Sequence, residues 1–237
     1  MNYLSIVSTI ITFIFAAAVF NRYTHRKGTH LLLWGIGLVF YGLGTLSEVI
    51  LSFTFSELAL KVWYLTGAML TAAWLGQGTV YLLVRKRGVA RTLTIILALV
   101  SILAAILVFT APLTPAAAAY DSSLPASAQY KEVMTRSGPV ILLTILLNIY
   151  GTLTLVGGAI YSAYIFWRKR VLYNRMVGNI LIAAGALMPA MGGTFIRLGM
   201  VDWLYLSELA GVILMYAGFM QATIRPAAEV QTAVTAS

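Results

Sequence analysis

The sequence predicts an all-α, polytopic membrane protein: a seven-transmembrane-helix bundle with its N-terminus outside and its C-terminus inside. Three observations predict it. The chain is 60% hydrophobic and only 10% charged, whereas soluble domains run near 25% charged. Its apolar residues gather into seven runs, each close to the roughly 20 residues that cross a bilayer as helix. Its basic residues gather after every second run, the pattern that marks cytoplasmic loops.

The runs are approximately 3–21, 31–52, 59–84, 92–112, 139–167, 176–198 and 203–224. The first, "MNYLSIVSTIITFIFAAAVF", has no basic region before it and is followed by Arg22, Arg26 and Lys27. It reads as a retained first helix rather than a cleaved signal peptide. The second contains "LVFYGLGTLSEVI", in which Tyr41 and Glu48 are seven residues apart on one face. On the third, Lys61, Tyr64, Thr71, Trp74 and Gln77 follow nearly one stripe. The fourth, "TLTIILALVSILAAILVF", is almost pure Leu, Ile, Ala and Val. It suits a linker that faces lipid over much of its surface. Residues 113–138 then form the longest connection, broken by Pro115 and Pro125. A connection of that length reads either as a lid over an outer pocket or as a loose linker, and "SAQYKEVM" predicts a turn or two of helix. The fifth run adds Asn148, Tyr161 and Tyr164. The sixth, "GNILIAAGALMPAMGGTFIRLG", is the least regular: Pro189 removes a backbone hydrogen bond, and with Gly192 and Gly193 it forms a candidate hinge. The seventh carries Tyr205 and Glu208 on one face.

Loop charge orients the bundle. Of the 16 Lys and Arg residues, 12 follow runs 1, 3, 5 and 7; Lys61, Lys131, Arg136 and Arg197 lie at the other end. The net charge of +9 is thereby explained by topology and lipid headgroups, and nucleic acid is not an expected partner. Residues 1–225 read as one seven-helix domain and 226–237 as a short cytoplasmic tail. The tail is too short for a kinase, cyclase or nuclease domain, so output would pass to another polypeptide. "YGLGTLSEVI" in run 2 and "AMGGTFIRLG" in run 6 align Gly44-Thr45 with Gly193-Thr194, and Glu48 with Arg197. This echo suggests a parallel 3+1+3 repeat, runs 1–3 and 5–7 with run 4 as linker, one of the plans that transporters use.

Glu48, Lys61, Arg197 and Glu208 come from four helices and lie near the outer boundary. Ionisable groups in hydrocarbon pair with one another or mark a site. One reading is two interhelical salt bridges that fix packing. The other is an outward-facing pocket in which these four residues, with Tyr41, Tyr64, Trp74, Gln77 and Tyr205, hold a small ligand. Both readings fit the sequence, and the aromatic positions also fit ordinary bundle packing.

Enzymatic chemistry is not expected. His25 and His30 are the only histidines and both fall in an inner loop, so neither a metal nor a haem is expected, and no other cofactor is indicated. The last run has no Lys for a retinal link, and with no Cys thiol chemistry is excluded. The stretches "LLLWGIGLVFYGLGTLSEVI", "YLTGAMLTAAWLGQGTVYLL" and "NILIAAGALMPAMGGTFIRLG" resemble the seven-helix sensor region at the N-terminus of some bacterial histidine kinases. No transmitter domain follows. The resemblance implies a receptor-like sensor of a prokaryotic cytoplasmic membrane, binding a small ligand from outside and signalling through a cytoplasmic or membrane partner protein. The alternatives are a small-molecule transporter of 3+1+3 layout and a non-catalytic subunit of a larger complex. Gly- and Ala-rich faces would also allow contacts between protomers.

Overall fold

A computed structural model describes residues 3–84, 86, 88–169 and 173–223; for residues 190, 192–194, 196, 197, 201 and 202 it describes the backbone only. The described residues form α1 (Tyr3–Arg26), α2 (Thr29–Leu51), α3 (Glu57–Leu83), α4 (Val89–Thr110), the short α5 (Ala126–Val133), α6 (Gly138–Lys169), α7 (Tyr173–Arg197) and α8 (Val201–Thr223). No strand occurs among them; Leu113 and Met134 make one isolated bridge. A bilayer offers no water to backbone N–H and C=O groups, so each crossing segment has to satisfy them within its own helix. Six helices, α1, α2, α3, α4, α6 and α8, are long and apolar enough to cross a membrane. The chain is therefore an integral membrane protein. The remaining long helix, α7, has 25 residues and runs unbroken through Pro189.

Local chemistry sets the helix ends. Ser56 caps α3 by accepting a hydrogen bond from the Ala59 N–H at 3.3 Å, with Glu57 in the first turn; such caps contribute about 1 kcal/mol. Between α7 and α8, Gly199 adopts a left-handed φ of 72°. That turn lets the N–H groups of Leu198 and Met200 both donate to the Phe195 carbonyl, closing the helix end.

The helices pack as a ring in the order α1, α2, α3, α6, α7, α8, which closes where α8 meets α1. Two close approaches tighten it. A Cβ on Gly44 would lie 2.8 Å from the Cα of Gly67, and one on Gly185 would lie 2.6 Å from the Gly211 carbonyl. Small residues let helices approach until dispersion and Cα–H contacts hold them, in a medium where burial of apolar surface gives no drive. Outside the ring, α4 leans on α3 and more lightly on α6. Its buried side chains, Ala90, Leu97, Ala104 and Val108, fall at steps of seven, seven and four. Ile95, Leu99, Ile102 and Ile106 are more than half exposed, which is a lipid-facing surface. The expectation that this helix shows much of its surface to lipid matches its packing.

The connection between α4 and α6 is folded against the bundle end. Thr114 N–H donates to the Val133 carbonyl at 2.9 Å, and Thr135 N–H to the Pro112 carbonyl at 3.1 Å. Ala126, Val133 and Met134 are buried, and the Tyr130 ring lies 5.4 Å from Trp63 and 5.5 Å from Tyr64. Asp121 accepts from the N–H and the hydroxyl of Ser123. Those two bonds hold its carboxyl below the usual carboxylate range, the hydroxyl bond contributing most. The loose-linker reading of this segment does not hold.

Candidate functional site

Beneath α5 lies a cavity of about 460 Å³, lined from α2, α3, α5, α6, α7 and α8. Residues 63–70 of α3 form a π-helical turn, and Trp63, Gly67 and Ala68 from that turn line the cavity. The Thr71 hydroxyl donates to the Thr66 carbonyl, five residues back, at 2.8 Å. Such insertions cluster at functional sites because they re-aim the side chains around them. On α6, Thr144, Asn148, Gly151, Thr152 and Leu155 line the cavity, Asn148 and Thr152 among them being exposed; Leu142, Ile145, Ile149 and Leu153 are exposed on the same helix.

Two carboxylates face this space, Glu48 from α2 and Glu208 from α8. Glu48 is only 6% exposed. Its Oε1 accepts from the Ala126 N–H at 2.9 Å and from the Tyr205 hydroxyl at 3.1 Å. The first bond ties the connection to the ring; the second ties α2 to α8. No hydrogen bond reaches Oε2 among the described residues. Glu208 accepts from the Tyr41 hydroxyl through its backbone carbonyl, at 3.1 Å, and its carboxylate receives no hydrogen bond or ion pair from a described residue. Tyr120, in the connection, is close to the charge of Glu48. Burial pushes its phenol well up from its ordinary value, and the charges of Glu48 and Asp121 add to the effect.

Several other polar groups on the cavity wall have their protons committed. The hydroxyl protons of Thr45, Thr71 and Thr144 go to carbonyls of their own helices. The Asn148 amide donates to the carbonyls of Ala68 and Thr144, leaving its Oδ1 as an acceptor. Lys131 stands at the rim on the exposed surface of α5.

The sequence-predicted residues divide. Tyr41, Glu48, Glu208 and Pro189 line the cavity. Tyr205 stands behind it and holds Glu48. Tyr64 is buried and bonds with Thr144 at 2.9 Å. Lys61, Trp74 and Gln77 do share a stripe, but it faces α4. Lys61 pairs with Glu57 at 2.6 Å and donates to the Phe109 carbonyl at 3.0 Å. Trp74 donates to Ser101 at 3.0 Å. Gln77 donates to Ala90 and Thr94 at 2.9 and 2.8 Å and accepts from the Tyr150 hydroxyl. Their face points away from the ring interior because α4 packs outside it. For Lys61 the reading as an interhelical salt bridge is corrected accordingly: its acidic partner is Glu57, four residues earlier on the same helix. The surroundings of Gly192, Gly193 and Arg197 lie outside the described residues.

Sequence reasoning missed Trp63, Tyr130, Thr144 and Thr152. For α6 a signal existed: Thr144, Asn148 and Thr152 fall at steps of four among larger apolar residues.

Three side chains close the far end of the cavity. Leu75, Leu155 and Met215 line it and also line a second, apolar cavity of about 40 Å³. Phe15, Val19, Leu38 and Phe219 pack around that smaller space. Among the described residues no group of three or more His, Cys, Asp or Glu side chains could hold a metal. Comparison with family models, with curated proteins and with solved structures finds no match to this chain.

Proposed function

We propose that this chain is a seven-helix membrane receptor whose cavity binds a small ligand from the outer side of a prokaryotic cytoplasmic membrane. The observation that carries the reading is the cavity itself. It is large enough for a small organic molecule, carries two carboxylates, one buried and one half-buried, and has an apolar floor at Leu75, Leu155 and Met215. Ligand sites have this character, mostly apolar with a few placed polar groups. With α7 counted as the seventh span, the sequence pattern of 12 of 16 basic residues following spans one, three, five and seven supports a topology with the N-terminus and the connection outside. The ring order, with α4 outside, supports two three-helix halves, α1–α3 and α6–α8. A ligand bridging α2 and α8 would bias how the halves meet, and a partner protein would read that at the inner loops.

Transport is the second reading. Leu75, Leu155 and Met215 separate two cavities, and their movement would join them. Purified protein in liposomes discriminates the two. Compounds that raise its unfolding temperature are found first, then offered as radiolabelled tracers. Binding without flux is the expected result. Tracer entry that Thr152→Trp blocks would replace the receptor with a carrier.

A further inference from the structure

Resting on that reading of the cavity as a ligand site, we propose that the ligand is a small organic cation. Three observations converge. First, the charge balance of the wall is acidic. Glu48 and Glu208 face the cavity, while Lys61, which would have balanced one of them, is held by Glu57 and the Phe109 carbonyl on the opposite face of α3. Lys131 is the one basic residue among the described lining, and it sits on the exposed rim. Two carboxylates in a low-dielectric space need a counter-charge.

Second, the wall is rich in acceptors. Thr45, Thr71, Thr144 and Tyr41 spend their hydroxyl protons on backbone carbonyls, and Asn148 spends its amide protons likewise. The Ser127 and Thr152 hydroxyls make no such bond among the described residues. What remains open to a ligand is dominated by acceptors, Glu48 Oε2, the Glu208 carboxylate and Asn148 Oδ1, with the Ser127 and Thr152 hydroxyls able to donate or accept beside them. An ammonium or guanidinium group has donors and no acceptor, so it complements the two carboxylates and the Asn148 oxygen, whereas an anion would be repelled by both carboxylates.

Third, Tyr41, Trp63 and Tyr130 contribute aromatic surface. Ring faces attract cations at up to about 6 Å, and Tyr130 already receives Arg136 at 5.0 Å on its own ring. A cavity of about 460 Å³ far exceeds a bare metal ion, which assigns the positive charge to an organic group.

The test uses three probes of one shape: benzylammonium, benzyl alcohol and benzoate. Binding to the full chain in lipid nanodiscs is read by calorimetry at fixed ionic strength. The expected result is that benzylammonium binds at least tenfold more tightly than the alcohol and that benzoate does not bind. Glu208→Gln should weaken the ammonium at least tenfold and leave the alcohol unchanged. Thr152→Trp should exclude both. Equal binding of the alcohol or benzoate, or no binding of the ammonium, overturns the cation proposal while the cavity stands as a site. Binding of all probes unchanged by Thr152→Trp overturns the cavity reading as well.

Discussion

Gln77 and Glu48 are both buried polar side chains on ring helices, and only one of them is finished. Gln77 is fully buried. Both of its amide protons are given, to Ala90 and Thr94, and its oxygen accepts from Tyr150. Glu48 takes two bonds on one oxygen and none from a described residue on the other. The Gln77 cluster sits between α3, α4 and α6 and lines neither of the two cavities described above. Glu48 sits at the edge of a space large enough for a ligand. In hydrocarbon an unmet polar group is costly, so a closed set of bonds marks a structural joint and an open one marks a place where something binds. The difference can be broken experimentally in three ways.

The largest effect belongs to the closed set. Gln77→Ala strands the Tyr150 hydroxyl and removes the bridge from α3 to α4. An unmet buried group costs about 1–3 kcal/mol, which lowers the unfolding temperature by roughly 2–12 °C. Glu208→Gln loses no hydrogen bond among the described residues and should stay within about 0.5 kcal/mol of the parent. Thermal unfolding in detergent, followed by circular dichroism, measures both. If Glu208→Gln unfolds as early as Gln77→Ala, the open carboxylate is a structural group after all.

Much of this architecture is legible in the sequence, for a reason that also limits the reading. Backbone groups in a bilayer force whole helices, so the apolar run 92–112 gives α4 at Val89–Thr110 and 139–167 gives α6 at Gly138–Lys169. Run length fixes depth but not rotation. Lys61 and Glu48 lie at similar depths, and opposite charges at one depth suggest a pair. The face of α3 that carries Lys61 turns out to meet α4, and Glu57, four residues earlier, is the nearer acid. The π-helical turn at Trp63–Leu70 has no sequence signature that periodicity detects. The bond to Glu48 comes from the backbone N–H of Ala126, 78 residues away, and a backbone donor leaves no trace in residue type. Glu208, by contrast, is visible as an acid inside an apolar run.

The second effect concerns that backbone donor. Glu48→Ala removes both acceptor bonds and leaves the first turn of α5 untied. Glu48→Gln keeps an amide oxygen where Oε1 stands and should retain the tie while removing the charge. Hydrogen exchange of residues 126–133 is the appropriate readout, because it reports local opening rather than global stability. Exchange should rise about tenfold or more in Glu48→Ala, as losing about 1.4 kcal/mol implies, and much less in Glu48→Gln. Equal acceleration in the two variants would mean that charge, not hydrogen bonding, holds the connection down. That result would move Glu48 from latch to counter-ion.

The smallest effect is the sharpest check on rotation. Lys61→Met removes a positive charge at the same membrane depth as Glu48. If depth alone governed the site, this change would make the cavity more acidic and strengthen cation binding. The structure instead places the Lys61 ammonium on Glu57 and the Phe109 carbonyl. Glu57 is half exposed, and ion pairs with a solvated partner contribute about 0–1 kcal/mol; the Met side chain keeps the packing of the Lys stem against α4. Stability should therefore fall by no more than about 1 kcal/mol, and benzylammonium affinity should stay within twofold of the parent, while Glu208→Gln in the same titration loses at least tenfold. A change in affinity on Lys61→Met comparable to that of Glu208→Gln would show that α3 presents its basic residue to the cavity, and the acidic balance on which the cation assignment rests would go with it.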